Sequence, residues 1–156
     1  MKNLFYTLGV LATTSLLAGG CSKSAEANVG VLLGYQNNNV SDDQGLVLDV
    51  STVTQDNIKL GVNTLTEVND ARLLTYGAYV GYPVLVQNTK LSITPSVGVD
   101  RYRVQDETVG NVALNFDYKF DTTTYATIQT KYSKEFGSSD YDLDGESYTF
   151  GITKLF

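Results

Sequence analysis

From residue 29 onward, large apolar side chains fall on every second position in eight successive stretches, separated by short polar breaks. The clearest has Val112, Leu114, Phe116, Tyr118 and Phe120 alternating with Asn111, Ala113, Asn115, Asp117 and Lys119. A strand turns successive side chains to opposite faces, so each stretch is predicted as a strand with one oily and one polar face. The first runs from Val29 to Gln36, with Val29, Val31, Leu33 and Tyr35 on the oily face. The next three present Leu46, Leu48 and Val50, then Ile58, Leu60 and Val62, then Leu74, Tyr76, Ala78, Val80 and Tyr82. The fifth presents Leu91, Ile93, Pro95, Val97 and Val99, the seventh Ala126, Ile128, Thr130 and Tyr132, and the eighth Tyr148, Phe150 and Ile152. Helical spacing is sustained nowhere.

The breaks carry their own signals. Residues 37–44, 65–72 and 134–145 read as loops, and Gln55, Asp56 and Asn57 as a tight turn. Residues 84–90 have no clear period, which predicts either a helical turn or a longer hairpin. Pro95 cannot donate to a ladder, so a bulge is expected there.

Alternation alone leaves open which face is outside. A solvated outer face normally carries abundant Lys and Glu. Here the polar face is mostly Gly, Ser, Thr, Asn and Gln, with charges of both signs at Asp49, Lys59, Asp100, Asp117, Lys119 and Lys131. Small polar groups suit the inside of a narrow tube, where those six charges are expected to pair across the lumen. Aromatics group near the strand ends: Tyr35, Tyr76, Tyr132 and Tyr148 toward one rim, Tyr82, Tyr118, Phe120 and Phe156 toward the other. Two such girdles match the two interfaces of a bilayer. An amide unpaired in hydrocarbon costs several kcal/mol, so a sheet in lipid must close on itself. The expected fold is all-β, an eight-stranded antiparallel up-and-down transmembrane β-barrel whose interior is filled by side chains.

The last stretch, with Tyr148, Phe150, Gly151 and Ile152 before a final Phe156, resembles the closing strand of bacterial outer-membrane β-barrels. In that family the assembly machinery reads a C-terminal aromatic preceded by alternating apolar residues, and Tyr148, Phe150, Gly151 and Phe156 would form the signal. Lys154 stands where the family usually has an apolar residue, and its stem would lie along the barrel with the ammonium at the headgroups. In general build the chain is similar to the OmpA transmembrane domain and the OmpX class of small barrels. The resemblance implies a Gram-negative outer membrane, partners among its lipids, its lipopolysaccharide and the barrel-assembly machinery, and a monomer. It brings over no functional residue.

Residues 1–20 read as a secretory leader, with Lys2 ahead of an apolar run from Leu4 to Leu17. Ala18, Gly19, Gly20 and Cys21 resemble a lipoprotein signal, in which Cys21 would be acylated and residues 21–28 would be a tether to a barrel over residues 29–156. Cleavage after Ala25, Glu26 and Ala27 is the competing reading. Cys21 is the sole cysteine, which rules out an intrachain disulfide.

The chain has 17 carboxylates against 11 Lys and Arg, an acidic balance that argues against a nucleic-acid partner. It has no histidine. The enzymes among small outer-membrane barrels rely on a histidine as acid or base, so no catalytic role and no cofactor is expected. Asp140, Asp142 and Asp144 copy the start of a calcium loop, but its twelfth position is Gly151 instead of a bidentate Glu. They read as a solvated acidic loop. The functional expectation is a structural or surface-interaction protein without an open pore. The alternative is a soluble lipoprotein barrel anchored through Cys21, its Leu, Val and Phe face turned inward around an apolar ligand.

Overall fold

A computed structural model describes residues 29–39, 44–68, 72–136 and 143–156. The expected leader, the tether and Cys21 lie outside them, as do Asp140 and Asp142. The strands are β1 (Val29–Asn38), β2 (Gln44–Val53), β3 (Lys59–Glu67), β4 (Leu73–Gly81), β5 (Val84–Leu85), β6 (Leu91–Tyr102), β7 (Glu107–Lys119), β8 (Thr124–Glu135) and β9 (Gly145–Leu155). Neighbours pair in the order β4-β3-β2-β1-β9-β8-β7-β6-β5, and β4 also pairs with β6. That last pairing joins the two ends of the order, so eight long antiparallel strands make a closed barrel. The seam between β1 and β9 is pinned at its end by reciprocal backbone bonds between Val29 and Phe156.

The oily face is outside. Leu33, Leu46, Leu60, Val80, Val97, Val99, Val112, Leu114, Ile128, Phe150 and Ile152 are each between 41% and 60% exposed. Asn115 and Thr153, next to two of them, are buried. Among the described residues, buried polar side chains outnumber buried apolar ones. A water-soluble barrel enclosing an apolar ligand would need these faces exchanged, whereas a barrel in hydrocarbon needs them as they stand. The aromatics of both expected girdles are exposed as well.

At four places the structure departs from the sequence reading or decides between its alternatives, each for a local reason. The strands run longer at the end away from Val29, so the breaks shrink to residues 39–43, 68–72, 103–106 and 136–144. Residues 84–90 form the longer hairpin: β5 pairs Val84 with Ile93 in the same register that pairs Gly81 with Ser96. In effect β4 continues past Tyr82 and Pro83 into β5, and the hairpin turns around Asn88, which takes a positive φ of 61°. Pro95 needs no bulge. Its pairing with Leu114 lies in an unbroken register, while its carbonyl accepts from Tyr82 N at 3.0 Å. Only the return bond from the proline nitrogen is lost. The bulge occurs elsewhere, where the β3–β4 register shifts between Leu65 and Thr66. Two consecutive residues, Leu74 and Thr75, are thereby buried, so Leu74 leaves the outer face expected for it and packs inside with Val47 and Leu65.

Candidate functional site

The interior of the barrel divides into three levels along its axis. At the end away from Val29 it is filled by two apolar clusters, Val47 with Leu65 and Leu74, and Tyr102 with Val109 and Leu143. Asn38 Nδ2 donates to Tyr102 Oη at 3.1 Å, which satisfies the phenol within that packing. The loop between β8 and β9 is held at its base by Glu135, whose N–H donates to Asp144 and whose carboxylate accepts from Leu143 N.

The middle level is polar and tightly bonded. Lys131 Nζ on β8 reaches past β7 to Asp100 Oδ2 on β6 at 2.7 Å, with side chains only 6% and 1% exposed. Beside that pair, Gln129 Nε2 donates to Asn115 Oδ1 at 2.7 Å. Thr127 Oγ1 donates to Asp117 at 2.6 Å and lies 2.7 Å from Thr153 Oγ1. Thr149 Oγ1 donates to Gln36 Oε1 at 3.2 Å. Tyr79 on β4 crosses Gly61 on β3 to donate to Asp49 Oδ1 on β2 at 3.0 Å. Only glycine permits that crossing, because a Cβ at position 61 would stand 2.4 Å from the tyrosine ring. Gly77 does the same for Asp100, whose Oδ1 would lie 1.9 Å from an added Cβ. The space left at this level, bounded by Leu32, Asp49, Tyr79, Asn115 and Gln129, is about 10 Å³. That is about the room one water needs.

Toward Val29 and Phe156 the interior opens. A cavity of about 470 Å³ is lined by Lys59, Lys90, Lys119, Asp117, Tyr125 and several Ser and Thr hydroxyls. The six charges that the sequence places inside therefore do not form one network. Asp100 and Lys131 make the single ion pair among them, Asp49 and Asp117 accept from hydroxyls, and Lys59 and Lys119 line the open end. Sequence reading missed Lys90, which sits in the 84–90 hairpin, as well as Tyr79 and the two glycines. The alternation of small and bulky inward residues on β3 and β4 is the signal that could have found them.

Outside, Arg101 and Arg103 make a charged spot at the rim away from Val29. A groove of about 710 Å³ there is lined by Tyr76, Arg101, Arg103, Asp106 and small residues of β3 and β4. Arg101 donates to Asp106 Oδ1 at 2.6 Å and to Thr108 Oγ1 at 2.8 Å. At the opposite rim, Lys154 donates to the hydroxyls of Thr123 and Thr124 at 2.7 and 3.2 Å. Tyr148, Phe150 and Phe156 are exposed on the outer face of the closing strand, and Gly151 packs against the β1 backbone, 2.5 Å from the Leu33 carbonyl for an added Cβ. Among the described residues no group of three or more carboxylate or thiol side chains is placed to hold a metal.

No protein-family model matches this sequence, and no curated protein does. Solved structures do. A de novo designed transmembrane β-barrel superposes with a TM-score of 0.61 at 11% identity, covering 86% of this chain and all of that one. The Yersinia pestis outer-membrane protein Ail in a phospholipid bilayer nanodisc gives 0.57 at 12% identity, over 84% of this chain and 100% of Ail. Neisserial surface protein A gives 0.51 at 11% identity, over 83% of this chain and 96% of that one. At these identities the likeness is one of fold, and the fold is that of small outer-membrane β-barrels.

Proposed function

We propose that this chain is an integral outer-membrane barrel that works by its presence and its outer surface, with no conducting pore and no catalysis. The observation carrying this reading is the contrast between a greasy exterior and a bonded polar middle level. Hydrocarbon stabilises the outside, and the hydrogen-bonded layer from Asp49 and Tyr79 to Asp100 and Lys131 leaves about 10 Å³ at the waist. A void of that size holds about one water, less than a hydrated ion occupies. Absence of histidine anywhere in the chain supports a non-catalytic role.

Work done by the outer surface would centre on the rim with Arg101, Arg103 and Tyr76. Guanidinium groups at headgroup depth suit the phosphates of the surrounding lipid or lipopolysaccharide, and a tyrosine ring suits the interface. Acylation at Cys21, outside the described residues, would add acyl chains beside the barrel, and mass spectrometry of the mature amino terminus tests it. For the main reading, the test is electrical. Purified protein inserted into a planar bilayer is expected to leave the baseline conductance unchanged. Sustained, uniform conductance steps would mean that the waist is open.

A further inference from the structure

We propose that the open end of the barrel is a binding site for a small phosphorylated solute, a phosphate monoester carrying two negative charges. The cavity there, about 470 Å³, has the size of a small-molecule pocket. Its charge is unbalanced: Lys59, Lys90 and Lys119 face one carboxylate, Asp117, for a net charge of two positive. None of the three lysines makes an ion pair among the described residues, and Asp117 is already accepting from Thr127. The Asp49 carboxylate below the cavity partly offsets Lys59, and Lys119 Nζ lies 6.0 Å from the Tyr125 ring. The surplus positive charge therefore rests chiefly on Lys90 and Lys119, and in a concave wall it focuses a potential that an anion relieves.

The arrangement favours a tetrahedral anion. Lys59 comes from β3, Lys90 from the hairpin before β6, and Lys119 from β7, so three point-charge donors approach from different parts of the rim. No arginine is present to offer the planar fork that suits a carboxylate. The mouth is also held in shape before any ligand arrives. Lys119 N donates to the Lys90 carbonyl at 2.8 Å, and Asn57 Nδ2 donates to the Pro83 carbonyl at 2.7 Å, tying the β2–β3 turn to the hairpin. The Ser92 hydroxyl in the same wall can serve the rest of a polyol phosphate, whereas the Thr89 hydroxyl is engaged with the Val86 carbonyl and Leu91 N.

The experiment uses the full chain in a detergent with an uncharged sugar headgroup, so that no lipid phosphate competes. Inorganic phosphate and glycerol phosphate are titrated while backbone amide resonances are followed by NMR. Saturable shifts are expected at Lys59, Ser92, Lys119 and Tyr125, stronger at pH 7.5 than at pH 5.5 because phosphate loses its second proton near pH 6. Lys59→Gln with Lys119→Gln removes two charge-assisted contacts and should weaken binding roughly tenfold or more. Lys90→Gln, on an exposed turn where folding is not at risk, should weaken it several-fold. The proposal is overturned if chloride at equal ionic strength gives the same shifts, if succinate binds as tightly as glycerol phosphate, or if both variants bind like the parent. A conducting channel in the bilayer test would refute the closed waist while leaving this site standing, so the two failures are distinguishable.

Discussion

Lys131 and Asp100 form an ion pair away from bulk water, and its worth depends on what is removed. Two charges taken into a low-dielectric interior lose hydration that their mutual attraction only roughly repays, so the intact pair adds little net stability. Breaking it on one side is another matter. Lys131→Met leaves Asp100 buried with no counter-charge, at a cost of about 3–5 kcal/mol. The double variant Lys131→Met with Asp100→Asn removes both charges and should recover most of that loss. Reversible urea unfolding in lipid vesicles, read by the heat-dependent gel shift, measures both. A single variant as stable as the parent would mean that the carboxylate reaches water. The same reasoning explains Gly61 and Gly77: each clears the path of a polar side chain that has nowhere else to find a partner.

The strands were legible because their period is two, and a period survives whatever the tertiary context. What escaped was set by neighbours instead. Leu74 reads as outward by parity, but the bulge opposite Leu65 inserts a residue and reverses its direction. Tyr102, Val109 and Leu143 fall where the alternation stops; the β6–β7 register sets the first two side by side, and the β8–β9 loop adds Leu143. Likewise, nothing local chooses Asp100 for Lys131 over Asp49 or Asp117, since the pair spans an intervening strand. Turns are intermediate. The β7–β8 turn is built on Asp121, a turn-favouring residue, whose carboxylate accepts from the N–H groups of Thr123 and Thr124 at 2.8 Å each. Those bonds, Thr123 N–H first, hold its pKa below the ordinary aspartate value. A depressed carboxylate stabilises the fold above its unfolded pKa and loses that contribution as pH falls through its folded one. Asp121→Ala should therefore destabilise the barrel near neutral pH, and its difference from the parent should shrink as pH is lowered past the ordinary aspartate range. A difference that stays constant down to pH 2 would remove the charge from the explanation.

For the molecule as a whole, exposure of the oily face has two physical meanings, and one substitution separates them. Leu114 sits in the middle of β7, between Pro95 and Thr130, and is 42% exposed. If that face meets water, Leu114→Arg changes a surface residue away from any special feature, and such changes stay within about 0.5 kcal/mol. If it meets acyl chains, an arginine near the bilayer midplane costs about 2–4 kcal/mol. Leu33→Arg, on β1 across the barrel, is exposed in the same way and should behave alike. Urea unfolding from phospholipid vesicles gives the difference directly. In a micelle, where detergent can rearrange around a charge, the penalty should be smaller, so the ratio between the two media reports contact with lipid independently of any packing defect. A loss under about 0.5 kcal/mol in vesicles would place that wall in water and remove the membrane reading at its root.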